Sequence, residues 1–162
     1  MIRHLAAAYL LLAAPGLAQT PAQVAQRVAD SAADSTAAMA AANALMTAIG
    51  NKDEAMLKAI ILPQAVLLSQ RLAADGSINT SVRNRDEWLA GLMSAKGTLS
   101  EKMTDPRLMI HHDLAHVWAP YTFDIDGKRS HCGIDSLGLA RIDGQWRVTS
   151  LAWTAEPQGC PK

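Results

Sequence analysis

Neither sign of charge prevails in this sequence, in which 15 Lys and Arg stand against 15 Asp and Glu. The balance provides no basic face for nucleic acid and no general attraction to an anionic surface. Past the N-terminal residues there is no apolar run approaching the roughly 20 residues of a membrane-spanning helix. No Gly-rich phosphate loop, nucleophile elbow or Cys-x-x-Cys pair is present, so no cofactor is expected. The absence of an internal repeat argues against a solenoid. A chain of 162 residues, less its leader, is long enough for one core and too short for two.

The first residues set an expected compartment. Arg3 and His4 precede the apolar stretch Leu5 to Ala14, and Gly16 and Ala18 supply small residues at −3 and −1 of a cleavage site. This is the pattern of a secretory signal peptide over residues 1–18, with Gln19 as the first mature residue. No Cys follows Ala18, so no lipid anchor is expected. The mature protein is expected to be periplasmic or secreted. The only two cysteines, Cys132 and Cys160, then lie in a compartment that permits a disulfide, with two free thiols as the alternative.

Residues 19–35 are rich in Ala, Gln, Asp and Ser and read as a mobile or weakly helical leader, followed by one domain over residues 36–162. Met39, Ala42, Leu45, Met46 and Ile49 recur at helical spacing, with Ser35 or Thr36 as the expected cap and Gly50 past the end. A short helix over about Lys52 to Ile60 should bury Met56, Leu57 and Ile60. A strand from Gln64 to Ala73, a turn at Asp75-Gly76 and a strand near Ser77 to Val82 come next. A helix from Asp86 to about Ala95 carries Trp88 inward. Strands are expected over Leu99 to His112, with Pro106 marking an edge or bulge, then over Leu114 to Ile125, Arg129 to Ile142 and Gln145 to Thr154. Helices and strands are segregated, which argues α+β: a curved antiparallel sheet, shaped as a cone, packed on N-terminal helices.

Asp126-Gly127 and Asp143-Gly144 are strong hairpin turns, because both residues of such a turn need positive φ. Counting back from them with unbroken alternation pairs Thr122 with His131, Trp118 with Asp135, Leu137 with Ser150 and Asp135 with Ala152. One face then carries His116, Trp118, Asp124, His131, Asp135, Leu137, Leu139, Trp146, Val148 and Ser150. The other carries Val117, Tyr121, Phe123, Cys132, Ile134, Ile142, Leu151 and Trp153. The first, with polar groups among apolar ones, reads as a concave ligand-binding face completed by Trp88. The second, with Tyr121, Phe123 and Trp153, reads as a dimer surface. A one-residue bulge would exchange part of these sets.

His131 and Asp135 share a face but stand about 13 Å apart along one strand. They can contact two ends of one ligand, or act as acid and base on it. Alternatively they brace the fold, His131 through Thr122 or a neighbouring strand and Asp135 through the Trp118 indole. His111, His112, Asp113 and His116 resemble a metal cluster, but adjacent strand residues point to opposite faces and no metal site is expected.

The pattern W-x-P-Y-x-F-x-x-D-G-x-x-x-H-C-G-x-D-x-L-x-L, from Trp118 to Leu139, with Gln145-Trp146-Arg147-Val148 and Gly159-Cys160-Pro161, resembles the nuclear transport factor 2-like superfamily. Within it the chain is most similar to exported SnoaL-like or candidate lumazine-binding bacterial proteins. The resemblance implies a cone-shaped sheet that hosts isomerases, dehydratases, cyclases and non-catalytic binding or dimerisation domains, so the fold does not name the activity. Three functions follow as expectations. The first is an exported domain binding a small, largely apolar molecule through Trp88, His116, Trp118, His131, Asp135 and Trp146, and forming a homodimer. The second is a proton-transfer enzyme, isomerase or dehydratase in type, using His131 and Asp135. The third is a structural domain whose cavity is closed by Trp88, Trp118 and Trp146.

Overall fold

The computed structural model describes residues 20–161; the expected signal peptide, 1–18, and Gln19 lie outside the described residues. Three helices and seven strands run in the order α1 (Pro21–Asn51), α2 (Glu54–Ile60), β1 (Ile61–Leu72), β2 (Ile78–Asn84), α3 (Arg85–Ser94), β3 (Leu99–Met103), β4 (Arg107–His111), β5 (Leu114–Ile125), β6 (Lys128–Ile142) and β7 (Gln145–Ala155). One sheet has the order β2-β1-β7-β6-β5-β3, with β4 also paired to β5. Every pairing is antiparallel except β1 with β7. The α+β cone expected from the segregated elements is the fold observed.

The first helix corrects the expected boundary at Ser35 and Thr36. It begins at Pro21, because Thr20-Pro21-Ala22-Gln23 forms a capping box: the Gln23 amide donates to the Thr20 hydroxyl and the Thr20 amide donates to Gln23 Oε1. Ser35 and Thr36 instead donate their hydroxyls to carbonyls one turn back, at Ser31 and Ala32. The helix also runs past Gly50, and the left-handed C-cap is Lys52 at φ 51°. Ala42, Leu45, Met46 and Ile49 are buried, as their spacing required, while Met39 is only partly buried and Ala38 takes the innermost place beside it. Arg141 fixes α1 over β6 by gripping Asp34 through two contacts, at 2.5 and 3.0 Å, while its Nε donates to Asp113 at 2.7 Å. In α2, Leu57 and Ile60 are buried but Met56 is exposed, because only seven residues are helical and a single face docks.

The expected strand over Leu99 to His112 is two strands. Asp105, at φ 45°, and Pro106 break it, and both pieces pair along β5. Pro106 thus sits at the sheet margin, where a missing donor is tolerated. Asp126-Gly127 and Asp143-Gly144 form the two-residue turns their sequence requires, all four residues having φ between 52° and 76°. His112 and Asp113 form a third hairpin turn, with His111 opposite Leu114, so the histidine pair marks a turn.

The register corrects the expected faces. On β6, Arg129 pairs with Asp124 but His131 pairs with Phe123, so Ser130 is an extra residue. On β7, Val148 pairs with Leu139 but Ser150 pairs with Gly138, so Thr149 is extra. Each bulge shifts the facing strand by one residue, which inverts its inward set. Val117, Tyr121 and Phe123 of β5, and Leu151 and Trp153 of β7, therefore lie on the concave side with His131, Asp135, Leu137 and Leu139. His116, Trp118, Asp124 and Ser150 lie on the convex side.

Helix α3 is set by a second capping box, in which Asn84 accepts from the Glu87 amide at 3.0 Å and Glu87 accepts from the Asn84 amide. This cap orients the turn that delivers Trp88 and Leu89 to the core. Asn84→Ala is expected to lower stability by about 1 kcal/mol, measured by urea unfolding. No change would mean that packing of Trp88 alone fixes the helix.

Candidate functional site

At the open end of the cone, α3, the β1–β2 hairpin and strands β3, β5, β6 and β7 enclose a cavity of about 260 Å³. Its walls are largely apolar and aromatic: Ile49, Trp88, Leu92, Phe123, Leu151 and Trp153. Its polar groups are Arg71, Arg83, Glu101, Tyr121, Ser130, His131 and Asp135. A mostly apolar pocket with a few convergent polar groups is the usual form of a small-molecule site.

Asp135 is the decisive side chain. It is 0% exposed, and neither carboxylate oxygen has a hydrogen-bond partner among the described residues. Trp118, expected to hold it, is on the far side of the sheet and half exposed. Burial pushes the Asp135 carboxyl up to about 7. Glu101 stands on β3 opposite Phe123 and lines the same cavity. Its carboxyl is held well above the usual range, first by burial and then by the negative charge of Asp135. Two carboxyls that disfavour each other's ionisation thus face one apolar space.

His131 lies flat against Phe123, ring centroids 4.8 Å apart, and edge-on to Tyr121 at 5.8 Å. Its Nδ1 is 3.1 Å from Ser130 Oγ, and Thr122 is not its partner. Burial, helped by the Arg71 charge, lowers it to about 4, so the imidazole is neutral at pH 7. Tyr121 donates its hydroxyl to the Thr154 carbonyl at 2.7 Å, which leaves its oxygen only acceptor capacity. Burial, with the charges of Glu101 and Asp135, holds that phenol far above its ordinary range. The same Thr154 carbonyl turns in over Gly133, where an added Cβ would stand 2.2 Å from it. Gly133 therefore leaves room for the Thr154 carbonyl that holds the Tyr121 hydroxyl.

Of the six expected binding residues, the structure brings Trp88, His131 and Asp135 together. His116 is on the convex side, with Nε2 3.4 Å from Ser136 Oγ, and Trp118 shares that side. Trp146 is buried in the core under Arg141, 5.4 Å from its guanidinium, and does not line the cavity. The cavity is thus not closed by three tryptophans. Sequence reasoning missed Glu101, Tyr121, Phe123, Trp153, Arg71 and Arg83. For Tyr121, Phe123 and Trp153 the signal was a register with bulges allowed, for Glu101 the pairing of β3 with β5, and for the arginines the pairing of β1 with β7. The disulfide is formed: Cys132 and Cys160 are bonded, with Cα atoms 5.6 Å apart.

The helices over a bent, unclosed sheet match solved structures in fold. A protein from Cytophaga hutchinsonii aligns at TM-score 0.60 and 19% identity, over 72% of this chain and 93% of its own, and is described as nuclear transport factor 2-like. The fold is nuclear transport factor 2-like. A protein of unknown function from Mycobacterium tuberculosis aligns at TM-score 0.64 and 14% identity, over 79% of this chain and 75% of that one. A nuclear transport factor 2-like protein from Streptomyces avermitilis, named as a candidate dehydratase, aligns at TM-score 0.57 and 15% identity, over 76% and 96% of the two chains. No family model matches the sequence, and no curated protein matches it significantly. At these identities the nuclear transport factor 2-like likeness is one of fold, and the chemistry has to be argued from the cavity.

Proposed function

We propose that this chain is an exported protein that binds a small, largely apolar molecule in the nuclear transport factor 2-like cavity, with a polar group of the ligand meeting Asp135. The buried carboxyl of Asp135, with no protein partner, carries the reading. A group that costs stability and braces nothing is accounted for by a ligand that completes its hydrogen bonds. The Cys132–Cys160 bond and the leader pattern of residues 1–18 support export. The described residues include no helix long and apolar enough to cross a membrane.

Native mass spectrometry of protein isolated from its own host should show a retained small molecule. Phe123→Trp, which fills the space between His131 and α3, should lose it. Protein that carries no ligand, and binds an apolar dye equally well with and without that substitution, would overturn the reading.

A second reading has a specific observation behind it. Asp135 is poised at about 7 beside Glu101, so one carboxyl can hold a proton while the other is charged. That arrangement suits proton transfer, as in an isomerase or dehydratase, and the candidate dehydratase from Streptomyces avermitilis shares the fold. The acid–base pair in this reading is Asp135 with Glu101. His131, neutral at pH 7, orients the ligand. A homodimer is proposed through the convex face, where Val66, Val82 and Trp118 are about half exposed or more, since Tyr121, buried at 2% exposure, belongs to the cavity side.

A further inference from the structure

The cavity is strongly asymmetric from rim to floor. Its floor holds the buried carboxyl of Asp135 and the half-buried one of Glu101, and its rim holds two arginines from one hairpin. Arg71 on β1 and Arg83 on β2 both line the cavity, and both are exposed. The register places both on the concave face, four residues apart along the hairpin. Leu67 is buried on the concave side, Arg83 pairs with Leu67, and Arg71 lies four residues beyond Leu67 on the same face. The Arg83 guanidinium reaches α3, with Nη1 3.5 Å from where a Cβ on Gly91 would stand. It therefore lies across the mouth beside Trp88.

Neither guanidinium has an ion pair or hydrogen bond among the described residues. By contrast, Arg85, Arg129 and Arg141 each hold a carboxylate. An oxyanion at that mouth would find two unpaired guanidinium groups on one face of the hairpin. Planar guanidinium forks match the oxygens of a carboxylate or phosphate.

Resting on the cavity reading above, we infer that the ligand is an amphipathic oxyanion. Its anionic group is held between Arg71 and Arg83 at the rim, its apolar body lies against Trp88, Phe123 and Trp153, and its far end reaches Asp135. The chemical class is a small organic acid with a flat apolar body. Oxyanions of two kinds share this chemistry, carboxylates and phosphate monoesters, and the test separates them.

Isothermal titration of the mature protein with 2-naphthoic acid, 2-naphthyl phosphate and the neutral 2-naphthalenemethanol compares one apolar body under three headgroups. At least one anion should bind about tenfold or more tighter than the alcohol. The Arg71→Ala/Arg83→Ala double variant should erase that preference while keeping affinity for the alcohol. The anion that loses more in the variant identifies the headgroup. Equal affinity for all three probes, unchanged in the double variant, overturns the oxyanion assignment and leaves the cavity reading standing. Binding of none of the three, with the variant's melting temperature equal to wild type, overturns both.

Discussion

Asp135→Asn is expected to stabilise the unliganded protein by about 1–3 kcal/mol at pH 8 and to destabilise it by about 1–2 kcal/mol at pH 4, where the cost of the buried amide remains and the ionisation penalty is nearly gone. The Asp135 carboxyl sits at about 7 in the folded protein against 3.8 when unburied. Between those limits the native state keeps a proton that the unfolded chain has released. Stability therefore falls as pH rises from about 4 to 7 and is level above that. The full penalty is roughly 4 kcal/mol. Burying an amide with unpartnered donors costs about 1–3 kcal/mol in return, which leaves the expected gain. Glu101 acts in the same direction, and losing the neighbouring charge relieves it further. His131 acts oppositely: lowered from 6.5 to about 4, it withdraws stability as pH falls through that window. The wild-type profile is thus a sum of opposed slopes. The difference between variant and wild type separates them, because His131 is present in both. Urea unfolding at pH 4, 6 and 8 provides the measurement. A variant less stable than wild type at every pH would mean that Asp135 braces the fold, and the ligand reading would lose its main support.

That experiment turns on a residue legible in the sequence, whereas its surroundings were not. Asp126-Gly127 and Asp143-Gly144 fix the hairpins, because few dipeptides accept two consecutive positive φ angles. The strand ends at Ile125, Lys128, Ile142 and Gln145 follow from these turns. His131 and Asp135 share the concave face because both lie on β6 beyond the same bulge, so the four-residue spacing between them is undisturbed. The facing strands are another matter. A bulge is a backbone event, and neither Ser130 nor Thr149 carries a side-chain signature that distinguishes it from a regular strand residue. One extra residue in β6 moved Trp118 outside and Tyr121 and Phe123 inside. Glu101 was hidden for a different reason: its strand is short and interrupted at Pro106, and only its pairing with Phe123 places it in the cavity. The start of α1 was underestimated because alanine-rich composition without large apolar residues gives no periodic signal, although the Thr20 to Gln23 capping box was available to be read.

Cys160→Ser is expected to lower stability by about 3 kcal/mol, and reductant should impose a similar loss on the wild type and none on the variant. The bonded cysteines are 28 residues apart in sequence, and their Cα separation of 5.6 Å is ordinary for a disulfide. Closing a loop of that length removes chain entropy from the unfolded state worth roughly 3.5 kcal/mol. The tail is also held by other contacts. The Cys132 and Glu156 amides and carbonyls are paired at 3.1 and 2.8 Å, and the Arg129 guanidinium donates to the Pro161 carbonyl at 2.9 Å. These contacts keep the tail near the sheet after the bond is cut, so the measured loss should stay at or below the entropic value. The position matters for the site. Cys132 precedes Gly133, where the Thr154 carbonyl enters the sheet and accepts from Tyr121. Freeing the tail loosens the end of β7, and with it the Tyr121 hydroxyl. The Cys160→Ser variant should therefore lose affinity for the cavity ligand as well as stability. Urea unfolding of the variant and of the wild type, with and without reductant, gives the stability arm. A loss under 1 kcal/mol for Cys160→Ser would show that the backbone pairing of Cys132 with Glu156 holds the tail without the covalent bond.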